Sequence, residues 1–184
     1  MNGRSPRILL GVSGGIAAYK AVEVLRGLQD RGADVRVTLT RGAREFIQPL
    51  TFAVLSKAPV WTEVWGSGNE PAVEHVKLSD WAELLVVAPA TAHTMAKFAH
   101  GLADDFLSTY FLSHAGPVLL APAMESRMWD QPAVRANRQA LAARGARFVG
   151  PETGFLASGH EGGGILGDAG DRLVEALVCA RRRP

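Results

Sequence analysis

One hydroxyl and two adjacent glycines stand between a β-rich apolar run and a helical pattern in the stretch GVSGGIAAYK. Ser13, Gly14 and Gly15 would bring backbone N–H groups, a hydroxyl and a helix start to one point, which favours an anion. The spacing is neither the dinucleotide GxGxxG nor the GxxxxGK(S/T) phosphate loop, so a tight turn without a ligand is the competing reading. Thr40 ends a second strand pattern and adds another hydroxyl on the same sheet edge. Together the two suit a mononucleotide phosphate. VVAPATAHT and LLAPAMESRMW repeat one plan: a buried strand, a proline that stops it, small residues, then polar groups. Small residues let a flat ring approach the backbone, and Thr91 and Thr94 supply donors. Met124, Met128 and Trp129 read as core packing, because Met and Trp mostly fill cores. GFLASGHEGGG, residues 154–164, could cradle a phosphate, close over a substrate, or turn a corner.

The histidines divide. His75 lies in EHVKLSDWAELLVV, between a long loop and a buried strand, where it is either structural or catalytic. His93, His100, His114 and His160 form no HxxxH or HxH pair, so no metal site is expected. Cys179 is the single cysteine, which excludes a disulfide framework within one chain.

The elements that must position these residues alternate strand and helix. RILLGV is a short apolar strand, and the helical spacing that follows runs to a stop at Gly32. DVRVTLT alternates as a strand. LLVVAPA and PVLLAPA are continuous apolar runs, the pattern of strands buried on both faces of a parallel sheet. Helical periodicity runs through HTMAKFAHGLADDFLSTYFLSH between them, and again through QPAVRANRQALAARGA up to Gly145. RFVGP reads as a last core strand and GDRLVEALVCARR as a closing helix. This is a doubly wound α/β domain with a mainly parallel sheet and helices on both faces, and ligands bind such folds at the carboxyl ends of the strands.

Composition narrows the classes further. The 184 residues are 47% hydrophobic with a formal charge of +2, enough for one substantial core and one domain spanning residues 1–184. The basic run at Arg181, Arg182 and Arg183 reads as a solvated tail over residues 179–184, since no basic stripe with interleaved aromatics accompanies it. No nucleic-acid partner is expected. The first apolar run is too short for a signal peptide and none approaches a membrane span, so a cytoplasmic protein without membrane association is expected.

SGGIAAYK, HVKL, PATAHT, GLADDFLST, PAMESRMW and GFLASGHEGGG, in this order and spacing, resemble the homo-oligomeric flavin-containing cysteine decarboxylases over about residues 7–178. That family includes phosphopantothenoylcysteine decarboxylase and the epidermin-type peptidyl-cysteine decarboxylases. The resemblance implies FMN, with its phosphate and ribityl chain at Ser13, Gly14, Gly15, Ile16 and Thr40. It puts the isoalloxazine edge at Thr91, Ala92, His93 and Thr94, with Ala123 near the ring. His75 matches the active-site histidine, while Glu125, Met128 and Ser158 match substrate positions. A trimer, alone or assembled into a dodecamer, would complete the pocket from a neighbouring subunit. The implied chemistry takes two electrons from a cysteine residue to form a thioaldehyde, which accepts the electrons released as the carboxylate leaves and becomes an enethiolate.

Three positions depart from the family pattern. Glu125 and His93 stand where its PxMNxxMW and PASANT motifs carry asparagine, and Ser158 stands where the phosphopantothenoyl branch has a redox cysteine. A serine cannot cycle through a disulfide, so the reaction should stop at the enethiol. That outcome, and a chain without a fused cysteine-ligating domain, favour the C-terminal cysteine of a ribosomally made peptide as substrate. Phosphopantothenoylcysteine is the alternative, and a non-decarboxylating FMN reductase or regulatory subunit a further one. Glu125 would repel a substrate carboxylate unless it is protonated or offset by a cation such as Arg127.

Overall fold

The computed structural model describes residues 5–63, 74–155 and 161–166. Six strands form one parallel sheet: β1 (Arg7–Val12), β2 (Asp34–Leu39), β3 (Val60–Trp61), β4 (Leu84–Ala90), β5 (Val118–Pro122) and β6 (Arg147–Phe148). Their order across the sheet is β3-β2-β1-β4-β5-β6. Neighbouring β1 and β4 therefore lead away in opposite directions, which makes the gap beyond their carboxyl ends the switch point where doubly wound folds bind ligands.

Side-chain alternation along the strands builds a core on each face. Ile8, Leu10 and Val12 of β1 face α1 (Ala21–Asp30) and α3 (Pro49–Ser56), meeting Val24, Leu25, Leu28 and Phe52. Leu9 points the other way and joins a cluster with Leu78 of α4 (Glu74–Trp81), Met95 and Phe98 of α5 (Ala92–His100), and Leu107 and Tyr110 of α6 (Phe106–Ser113). All seven residues of β4 are buried, as its continuous apolar run requires. Five further elements lie at the periphery: α2 (Arg41–Arg44), α7 (Ser126–Trp129), α8 (Pro132–Ala143), and an antiparallel pair β7 (Glu152–Phe155) and β8 (Glu161–Ile165) outside the main sheet. No helix among the described residues is long and apolar enough to cross a membrane.

Four expectations change. The helix entered from Gly15 begins as a 3-10 turn, Ile16–Lys20, and becomes α1 only at Ala21. The single helical pattern between the two buried strands is two helices. Gly101 adopts φ +68°, a left-handed conformation that suits glycine and ends α5, and Asp105 restarts the chain by capping α6 in a reciprocal box with Ser108. His75 belongs to the first turn of α4, where a loop-to-strand passage was expected. RFVGP contributes only the two-residue edge strand β6, because Gly150 turns at φ +74° and Pro151 has no N–H for a ladder. The expected closing helix, the basic tail and Ser158 lie outside the described residues.

Candidate cofactor and substrate site

The carboxyl edge of the sheet collects four sequence-distant clusters. Ser13 follows β1, Thr40 follows β2, Thr91 follows β4, and Ala123 follows β5. Ser13 is fully buried and binds the opposite side of the switch point: its hydroxyl lies 2.7 Å from the Pro89 carbonyl and 3.2 Å from Thr91 Oγ1, and accepts the Thr91 amide at 2.9 Å. Ser13 thus braces the turn after β1 against the turn after β4. Among the described residues, none of the backbone hydrogen bonds engages the amides of Gly14 or Gly15, both of which are half-buried. Thr40 donates its amide to Val12 O at 3.0 Å and caps α2 by accepting from the Ala43 amide at 3.2 Å.

Gly14 sits where backbone meets backbone. A Cβ added to it would lie 2.5 Å from the carbonyl carbon of Gly42, closer than any side chain tolerates, whereas one on Gly15 would reach only Thr91 Cγ2 at 3.5 Å. The glycine pair therefore brings the β1 turn against α2 and beside Thr91. Thr91 in turn caps α5, accepting from the Thr94 amide at 3.3 Å. Ala92 is half-buried, His93 exposed and Thr94 buried, while Ile16 is 60% exposed at the rim. Ala123 donates its amide to Ala90 O at 3.2 Å, so β4 and β5 end in a shelf of small residues.

The substrate-side candidates gather beyond β5. Glu125 caps α7 by accepting from the Arg127 amide at 2.7 Å, and Arg127 Nε donates to its other oxygen at 3.1 Å. Burial raises the Glu125 pKa, but the Arg127 hydrogen bonds outweigh it and hold the carboxyl below the usual range. A cation that offsets the Glu125 charge is therefore present in Arg127. Met128 is 47% exposed and does not fill the core as expected, whereas Met124 and Trp129 do pack against it. α7 packs against β8, which brings the PAMESRMW segment next to the strands flanking the glycine-rich run. Past β8, Leu166 is buried in the core and its carbonyl accepts from Lys20 Nζ at 3.0 Å, tying this hairpin to the first helix.

His75 is half-buried one residue into α4. Its neighbour Glu74 is held below the ordinary carboxylate range first by its hydrogen bond to Lys77 and further by one to Trp61, the last residue of β3. A further cluster escaped residue-by-residue reading. Lys97, 8% exposed, bridges Asp104 at 2.7 Å and Asp105 at 2.6 Å across the turn between α5 and α6. Burial lowers its pKa, but the two carboxylates more than reverse that. The signal was present: a lysine inside the apolar stripe of a helix, followed by two aspartates.

Beside this geometry stand the likenesses to known proteins. A model of the family described as Flavoprotein matches residues 1–179. The chain belongs to the flavoprotein family. It is 45% identical over 159 residues to the coenzyme A biosynthesis bifunctional protein of Bacillus subtilis, a match covering 86% of this chain and 39% of that protein. The flavoprotein chain thus spans about two fifths of the curated relatives it matches. Among solved structures it resembles a PPC decarboxylase mutant with one cysteine changed to serine, complexed with pantothenoylaminoethenethiol (TM-score 0.81, 28% identity, 95% of this chain and 99% of the other). It also resembles the FMN-dependent cysteine decarboxylase SpaF (TM-score 0.79, 33% identity, 96% and 97%). The expected doubly wound flavoprotein fold and cysteine decarboxylase family are both met.

Proposed function

We propose that this flavoprotein chain binds FMN at the β1/β4 switch point and decarboxylates the cysteine carboxyl group of phosphopantothenoylcysteine. The observation that carries the site is the convergence of Gly14, Gly15, Thr91 and Ala123 on one sheet edge, with the Glu125–Arg127 pair beside it. The choice of substrate rests on the relative named for coenzyme A biosynthesis. It reverses the order in which the residues alone placed the two substrates.

The residues fit the cofactor. Gly14 and Gly15 would offer unengaged amides to a phosphate, and Ser13 keeps the two turns in register. Thr40 and Ile16 would border the ribityl chain, and Thr91, Ala92, His93, Thr94 and Ala123 would border the ring. FMN, when bound, supplies a two-electron acceptor for the Cα–Cβ–S unit of the substrate. Arg127 receives the substrate carboxylate while offsetting Glu125, Met128 contacts the arm, and His75 holds or moves a proton on the substrate. Exposed apolar residues such as Leu50, Val54 and Tyr19 support a homo-oligomer, in keeping with a trimer-based assembly.

A second reading has its own support. SpaF, a cysteine decarboxylase, is 33% identical over nearly its whole length, and Ser158 lacks the thiol needed to reduce an enethiol. A C-terminal cysteine peptide is the substrate under that reading. Mass spectrometry of flavin-loaded protein with each substrate separates the two. A loss of about 46 Da, CO2 plus two hydrogens, is expected from phosphopantothenoylcysteine. A loss of about 44 Da would refute the oxidative route, and turnover of the peptide alone would refute the substrate.

A further inference from the structure

A cavity of ≈ 320 Å³ opens between α7 and α8, lined by Trp129, Asp130, Val134, Arg135, Arg138 and Gln139. Arg138 is its distinctive member. Its guanidinium carbon lies 5.4 Å from the Trp129 ring centroid and 5.7 Å from that of Phe148. Contact with two aromatic rings restrains a side chain that would otherwise lose much rotamer freedom on binding. Among the described residues no carboxylate pairs with it. Arg135, three residues earlier on the same helix, is paired with Asp130 at 2.8 Å. Two guanidiniums and one carboxylate leave the lining net positive, and the Gln139 amide adds uncharged donors.

We propose that this cavity is an anion subsite of the phosphomonoester class, with Arg138 as its principal ligand, and that it receives the phosphate end of the substrate. The assignment rests on the phosphopantothenoylcysteine reading. Trp129 closes α7, the helix that Glu125 caps, so the cavity and the proposed carboxylate site share one element. In that substrate the pantothenate arm separates cysteine from phosphate, which calls for two anion sites set apart from each other. A planar guanidinium matches phosphate oxygens in a fork, and a dianion can engage both arginines where a lone carboxylate is satisfied by one. Asp130 opposes any anion, and its pairing with Arg135 limits that repulsion.

The test compares flavin-loaded full-length protein with its Arg138→Leu and Arg138→Lys variants. Initial rates of CO2 release are measured with phosphopantothenoylcysteine and with pantothenoylcysteine, and phosphopantothenate and pantothenate are titrated by calorimetry. Arg138→Leu should raise KM for the phosphorylated substrate by about 10- to 100-fold, the scale of a charge-assisted hydrogen bond, with a far smaller change in kcat. The unphosphorylated substrate should lose little, and Arg138→Lys should recover part of the loss. Equal KM increases for both substrates, or an unchanged preference for phosphate, would overturn the subsite. If neither pantothenoyl substrate releases CO2, the decarboxylase reading has failed instead. The subsite is then decided by titration: it stands if the native protein favours phosphopantothenate over pantothenate and Arg138→Leu does not, and falls otherwise.

Discussion

Replacing Gly14 with alanine is the sharpest probe of the proposed cofactor site. An added Cβ would lie 2.5 Å from Gly42 C, 2.7 Å from its Cα and 2.8 Å from its O. Carbon atoms rest at about 3.5–4.0 Å, so the β1 turn and α2 must part by roughly 1 Å. Both partners are backbone, and neither can swing aside as a side chain would. Overpacking of this kind costs about 1–3 kcal/mol, which for a chain of this size lowers Tm by about 2–4 °C per kcal/mol. The same displacement moves the Gly14 and Gly15 amides from the proposed phosphate site, so FMN affinity should fall at least ~10-fold, the equivalent of about 1.4 kcal/mol. Gly42→Ala is a milder control, its Cβ meeting Gly14 Cα at 3.3 Å, and Gly15→Ala the mildest, with only Thr91 Cγ2 at 3.5 Å. Differential scanning fluorimetry without flavin and fluorescence titration with FMN measure the two effects separately. The expected order of damage is Gly14, Gly42, Gly15. A Gly14→Ala protein that binds FMN like the native chain, while Gly15→Ala does not, would refute the close-approach argument.

Lys97→Met keeps the aliphatic stem but leaves Asp104 and Asp105 without their shared cation. Chemical denaturation should show a loss of about 2 kcal/mol, the scale of charge-assisted hydrogen bonds in a partly buried site. Burial holds the His114 pKa below its ordinary 6.5 against the opposing pull of the Pro117 carbonyl. A depressed base contributes stability that is full above the unfolded value and lost as pH falls through the folded one. Native stability should therefore decline on acidification from about pH 6.5, and less so in His114→Gln. Glu125→Asn retains a helix-capping side chain while removing a negative charge next to the proposed carboxylate site, so KM for a cysteine substrate should fall several-fold to ~10-fold in steady-state assays. His75→Asn should keep FMN and fold but lose ~100-fold or more in kcat, and simultaneous loss of flavin and solubility would mark the histidine as structural.

Local pattern alone determined the element types wherever burial follows sequence period. The apolar runs of β4 and β5 could only be strands covered on both sides, and the turns after β1 and β4 could only be where small and hydroxyl residues gather. α3 escaped because its exposed Leu50 and Val54 are as apolar as its buried Phe52, which erases the amphipathic period. The split between α5 and α6 escaped because apolar spacing runs straight through Gly101. Partnerships belonged to the tertiary structure. Ser13 meets Pro89 across 76 residues and Lys20 meets Leu166 across 146, contacts that exist only once the strands take the order β3-β2-β1-β4-β5-β6. The same folding set Arg138 against Trp129 and Phe148. A hydroxyl or a guanidinium carries its chemistry in its type, but what it does depends on which acceptor, charge or ring lies within a few ångströms. The sequence spacing of distant residues does not encode that distance until the sheet has closed.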